Sequence, residues 1–111
     1  MARLASAVLA TALLRRAEAE GGFGAVLAKG DATAGAIAVI LAEKGERKCF
    51  LERLLGADGR YAWRDSGHRS EDEAGFQALL ERRRRADPDL WILELDIASA
   101  ERFAAEMNES G

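Results

Sequence analysis

The chain has 111 residues, 49% of them hydrophobic and 32% charged, with 19 acidic and 16 basic residues and a net charge of -3. That length holds one domain, residues 1–111, around one core, and so apolar a composition excludes a disordered chain. The mild negative charge argues against a general binder of nucleic acid or of anionic membranes, and no apolar run approaches the ~20 residues needed to span a bilayer.

Residues 3–20 read as a first helix, rich in Ala and Leu, closed by Gly21-Gly22. At ~100° per residue, Leu4 and Val8 lie on one side, Leu9 and Leu13 on the opposite side, and Leu14 between them. A helix apolar nearly all round is buried on more than one side. One side meets a sheet; the other calls for a partner, most simply a second copy of the chain. The alternative is that alanine-rich flanks merely raise the apolar count. Leu9, Leu13, Arg15 and Arg16 are the contact residues this reading singles out. The segment also imitates a secretory signal peptide, with Arg3, an apolar run over residues 4–14 and Ala17-Glu18-Ala19. Arg15 and Arg16 argue against that, because they fall where a signal peptide carries no positive charge.

Residues 24–28 and 34–43 read as the first two strands, joined by Lys29-Gly30-Asp31-Ala32-Thr33. The second strand alternates, with Ala36, Ala38 and Ala42 on one face and Ile37, Val39 and Leu41 on the other. An alanine face permits close approach, so the first helix is expected to pack there. Lys44-Gly45-Glu46 turns into a third strand over residues 47–54. Gly56-Ala57-Asp58-Gly59 is a hairpin signal, since Asp and Gly tolerate positive φ. Residues 60–65 form a fourth strand, with Tyr61 and Trp63 on one face. Strands one to four therefore predict an antiparallel meander.

Ser70-Glu71-Asp72-Glu73 matches a capping box and opens a second helix, its acids placed where the helix dipole favours them. That helix runs to about Ala86 and is stopped by Pro88. The run Leu90-Trp91-Ile92-Leu93-Glu94-Leu95-Asp96 follows. Four successive large apolar residues predict an interior strand covered on both faces. Asp96 or Ser99 then caps a third helix carrying Ala100, Phe103, Ala104 and Met107 on one stripe. Residues 108–111 are expected to fray.

The sum is an α+β fold: a mostly antiparallel sheet of about five strands, with three helices packed mainly on one face, in the order α-β-β-β-β-α-β-α. The crossover through the second helix allows the last strand to run parallel to one neighbour.

The motifs that carry chemistry elsewhere are incomplete here. Arg82-Arg83-Arg84-Arg85 is the most conspicuous charge run. Four consecutive helical residues fan over ~300°, however, so they form no flat phosphate-binding patch, and cations suit a helix C-terminus. Arg83 falls in the apolar stripe of Phe76, Leu79 and Leu80. It must extend to water or pair with a carboxylate, with Asp87 and Asp89 nearest in sequence. Gly30-Asp31-Ala32-Thr33-Ala34-Gly35 has P-loop glycine spacing, but Ala36-Ile37 replaces the lysine pair and a strand follows, so it reads as a turn. Cys49, mid-strand, and His68, in a polar loop, lack any dyad spacing. One Cys and one His exclude the usual zinc sites, and no cofactor is expected. The single Cys also excludes an intramolecular disulfide and fits a reducing compartment, the cytoplasm. Glu94 and Asp96 share a strand face and, with Asp31, are the acids on which an enzyme or metal site would rest; the alternative is a strand emerging into solvent. Trp91 is expected in the core, whereas Trp63, between Arg60 and Arg64 on an edge strand, is the better partner contact.

Three stretches carry a family resemblance. They are Leu13-Leu14-Arg15-Arg16 with the glycines after it, Lys29-Gly30-Asp31 leading to Ala34-Gly35-Ala36-Ile37, and Arg85-Ala86-Asp87-Pro88-Asp89-Leu90-Trp91 running to Glu94. In order and spacing they resemble the bacterial family called domain of unknown function 1491, small alphaproteobacterial proteins. The resemblance covers nearly the whole chain, and Asp-Pro-Asp-Leu-Trp is its most specific part. It implies a stand-alone cytoplasmic domain and brings no activity, substrate or cofactor.

The leading functional expectation is a non-catalytic interaction module that self-associates, with another protein as the alternative partner and no membrane contact. The Arg run used on nucleic acid is a second reading, and an enzyme or metal site on Asp31, Glu94 and Asp96 a third. Asp31, Arg83, Asp87, Asp89 and Glu94 form the candidate cluster.

Overall fold

The strand β5 (Trp91–Asp96) runs through the middle of the molecule, with Trp91, Ile92, Leu93 and Leu95 all buried. The computed structural model describes residues 4–65 and 73–109. Ahead of β5 come α1 (Ser6–Ala19), β1 (Phe23–Ala28), β2 (Ile37–Glu43), β3 (Glu46–Leu55), β4 (Tyr61–Asp65) and α2 (Glu73–Ala86); α3 (Ala100–Glu109) follows it. The expected element order and α+β class are observed. His68 and the capping serine Ser70 lie outside the described residues.

The sheet order is β1-β5-β2-β3-β4. β5 runs antiparallel to β1 and parallel to β2, and β2, β3 and β4 form an antiparallel meander. The expected four-strand meander is thus corrected: β1 leaves it and closes the far side of β5. An apolar strand needs neighbours on both edges as well as cover on both faces, because unpaired backbone groups away from water are costly. Insertion between β1 and β2 meets both needs. The loop over residues 29–36 makes it possible by crossing the entry of β5, where Asp31 N–H donates to the Asp89 carbonyl (3.0 Å) and Trp91 N–H to the Ala36 carbonyl (2.8 Å).

Helices cover both faces. α1 and α3 lie over Ile37, Val39, Leu41, Leu93 and Leu95, contributing Ala10, Leu13, Ala17, Phe103 and Met107. α2 lies alone on the other face, where Phe76, Leu79 and Leu80 meet Ala38, Ile40, Phe50 and Ile92. The expectation that α1 packs on the alanine face of β2 is therefore reversed. The inward stripe of α1 is mostly small, with Ser6, Ala10 and Ala17 buried alongside Leu13, so branched sheet residues fill the space beneath it. Ala38 instead makes room for the larger side chains of α2, among them Phe76, whose ring meets Phe50 edge-on at 6.0 Å. Large against small on each face keeps the interior close-packed.

The N-terminus of α1 has no side-chain cap. The loop over residues 29–36 supplies acceptors instead: Ser6 N–H donates to Thr33 O, Ala7 N–H to Ala32 O, and the Ser6 hydroxyl to Gly35 O (2.6 Å). One loop thus seats a helix end and a strand end together, meeting the helix donors that have no partner within the helix.

Candidate functional site

The predicted cluster divides into three separate places. The first is the entry of β5. The Trp91 indole N–H donates to the Asp31 carbonyl (2.8 Å). The Arg84 guanidinium donates to the carbonyls of Leu90 (2.8 Å) and Lys29 (3.2 Å). The Asp31 carboxylate accepts from Ala34 N–H (2.8 Å) and Thr33 N–H (3.2 Å), and the Asp87 carboxylate from Asp89 N–H (3.1 Å). Asp31, Asp87 and Asp89 do come together, but the first two carboxylates each tie down their own turn. A Cβ added at Gly30 or Gly35 would overlap the Asp89 carbonyl oxygen. These glycines let two backbones cross; they are not a phosphate cradle.

The second place lies under α2. Arg83 pairs with Glu52 of β3, so its expected carboxylate partner exists but is neither Asp87 nor Asp89. The apolar stripe of α2 points down onto the sheet, and Arg83 follows it there. Glu52 exposes only 16% of its side chain, so the pair shields an acid within the layer. Of the Arg run, Arg82 and Arg85 stay exposed, while Arg83 and Arg84 are engaged within the chain. No continuous four-arginine patch results.

The third place is the exit of β5. Glu94 accepts from Arg47 (2.8 Å), which also reaches Glu73 (3.2 Å) and sits 4.6 Å over the Phe76 ring. Asp96 accepts from the backbone N–H groups of Lys44 (3.0 Å) and Gly45 (2.7 Å). Those two residues have φ of 51° and 82°, the signature of a tight hairpin turn, and Asp96 holds it from outside. Ser99, not Asp96, caps α3, accepting from Arg102 N–H. A depression of about 610 Å³ opens here beside Glu43, Lys44, Lys48 and Asp96. Of its four acids, Glu43 and Asp96 are engaged by backbone donors, and Glu20 and Glu46 pair with Arg16 and Lys48. Asp31 and Asp96 thus stand at opposite ends of β5, roughly 17 Å apart at ~3.3 Å per residue. Among the described residues no group of three or more His, Cys, Asp or Glu side chains is placed to hold a metal ion.

The expected contact residues fare unevenly. Leu13 exposes 6% and Trp63 9% of their surfaces, and both belong to the core. Leu9 is half-buried against that core. Arg16 is half-buried, pairing with Glu106 (3.2 Å) and lying over the Phe103 ring, while Arg15 is exposed. The correction at Trp63 has a clear cause. Asn108, expected to fray, places its side-chain amide against β4, accepting from Trp63 N–H (2.8 Å) and donating to Trp63 O (3.1 Å). It stands in for a neighbouring strand, and α3 covers the ring.

What sequence reasoning missed is the opposite edge of the sheet. β1 is Phe-Gly-Ala-Val-Leu-Ala, with no charge and no proline. Phe23 exposes 65% of its surface, and Val26 and Leu27 each expose 43%. Among the described residues no hydrogen bond reaches its outer backbone edge. The available signal was an uncharged strand beside two glycines. It reads equally as an interior strand.

The family model described as protein of unknown function, DUF1491, matches residues 4–105. The chain belongs to the DUF1491 family. Similar solved structures are the NMR structure of a DUF1491 family protein from Caulobacter crescentus CB15 (34% identity, 89% of this chain and 90% of that chain, TM-score 0.75) and a crystal structure of a DUF1491 family protein from the same strain (36%, 85% and 88%, TM-score 0.76). The solution structure of Atu0922 from A. tumefaciens is also similar (33%, 88% and 89%, TM-score 0.69). Among curated proteins none matches. Two of the stretches that carry the DUF1491 resemblance, residues 29–37 and 85–94, meet at the entry of β5. In this DUF1491 chain they mark a backbone crossing, tied by the Trp91 indole and by backbone amides that donate to carbonyls of the other stretch.

Proposed function

We propose that this DUF1491 protein is a cytoplasmic, non-catalytic interaction module that works as a homodimer. The observation that carries the reading is the β1 edge. Soluble proteins blunt exposed edges with charges, proline or a covering element, because open edges recruit other strands. β4 has such a cover in Asn108; β1 has none among the described residues and adds exposed Phe23, Val26 and Leu27. Val8 on the outward side of α1 is exposed too, as is Leu4 just ahead of that helix. The engaged state of Asp31, Glu94 and Asp96 favours a binding role over a chemical one. No described helix is long and apolar enough to cross a membrane.

Light scattering coupled to size exclusion tests the reading. Twice the chain mass of 12.0 kDa is expected, with dissociation on dilution as mass action requires. A constant monomer mass up to about 100 μM, where even weak specific contacts show, refutes it.

A further inference from the structure

Resting on that homodimer reading, we propose the interface itself: β1 pairs antiparallel with β1 of a second copy about a two-fold axis at Ala25, so that two five-stranded sheets become one.

Register and charge both lead there. Ala25 and Phe23 pair with Glu94 and Asp96, on the α2 face, while Gly24 and Val26 pair with Leu95 and Leu93, on the α1 face. A bulge between Val26 and Ala28 adds Leu27, so that positions 27 and 28 both stand against Ile92, which turns Leu27 toward the α2 face. Antiparallel partners must share a face. A two-fold at Ala25 satisfies this along the strand. Phe23 lies across from the partner's Leu27, Gly24 from the partner's Val26, and Ala25 from itself. Phe23 and the partner's Leu27 thereby cover one another, and the partner's Val26 meets Leu14, which fills the space over Gly24.

The ends are complementary. Glu18 is exposed in the last turn of α1, where the helix dipole disfavours an acid, and has no ion pair among the described residues. Lys29, just past the other end of β1, is likewise exposed and without an ion pair there. Antiparallel pairing brings each Glu18 beside the partner's Lys29, twice per dimer; a parallel partner strand would not. The strands alone fall short of the roughly 1,000 Å² of a specific interface. α1 lies directly above, with Leu14 against Gly24, and Ala7 and Thr11 on its outer flank are small enough for the second α1 to approach. A second copy suits this edge better than an unrelated strand, because its hydrophobic pairs and its charges are self-complementary under one two-fold axis.

Two experiments on the full chain test it. Under mild oxidation A25C is expected to give a dimer linked through the two introduced thiols, since residues across such an axis have Cα atoms within disulfide reach; wild type, with Cys49 alone, is the control. Separately, K29E and E18K are each expected to weaken dimerisation about two- to tenfold, and the double variant to restore it. Restoration is a readout that damage to the fold would not produce. A wild-type dimer in which A25C links no faster than the control and the charge swaps change nothing overturns this interface and leaves the homodimer reading standing. A monomeric wild type overturns both.

Discussion

Replacing Trp91 with Phe isolates what the family's most specific motif contributes. The ring stays aromatic and the site stays apolar, but the indole N–H that reaches the Asp31 carbonyl at 2.8 Å is lost. A hydrogen bond of this kind is worth about 1 kcal/mol net. The smaller ring also gives up about 40 Å² of burial at a position only 5% exposed, roughly 1 kcal/mol at ~25 cal/mol per Å². The total is about 2 kcal/mol, against the roughly 5–15 kcal/mol that holds a domain of this size together. Urea unfolding followed by Trp63 fluorescence reads it directly, because Trp63 remains as the sole, buried indole. Tm should fall by roughly 8–12 °C. A loss below about 0.5 kcal/mol with an unchanged m-value refutes the argument that the loop over residues 29–36 is tied to β5 through this bond.

Three further substitutions probe separate contacts. Gly30→Ala forces a Cβ into the Asp89 carbonyl and should cost more than the ~1 kcal/mol of an ordinary overpacked site; wild-type stability in chemical denaturation contradicts the crossing. Arg83→Met strands the shielded Glu52 carboxylate and should cost about 1–3 kcal/mol, whereas adding Glu52→Leu should recover much of that; additive losses in the double-mutant cycle show that the pair is uncoupled. Asn108→Ala removes both bonds to the Trp63 backbone, at a cost of about 1–2 kcal/mol. It should also speed amide exchange at Trp63, and unchanged protection there argues against the edge-cover role.

Much of the architecture was legible because it follows from local chemistry. The continuous run 90–95 announced a covered strand and is one. Gly21-Gly22 closes α1, and the stripe of α3 has Ala100, Phe103 and Met107 buried. Failures came where a residue's role depends on a partner far away in sequence. Asp96 looked like a helix cap because Ser99 and α3 are its neighbours in the chain; it binds a turn 51 residues earlier. Arg83 needed an acid, and the sequence offered only nearby ones; the acid is on β3. Trp63 looked exposed because β4 is an edge strand, and Asn108 covers it from 45 residues away.

Periodicity, composition and turn chemistry by themselves determined eight elements, their order and the inward stripes of α2 and α3. They are properties of short segments, set by backbone sterics and by which side chains leave water. The tertiary structure alone decided that β5 slides between β1 and β2, which face of β2 meets α1, and which sheet edge stays open. Those choices compare alternative packings of the same segments. They turn on how small and large surfaces fit together across the whole domain, a quantity no local window contains.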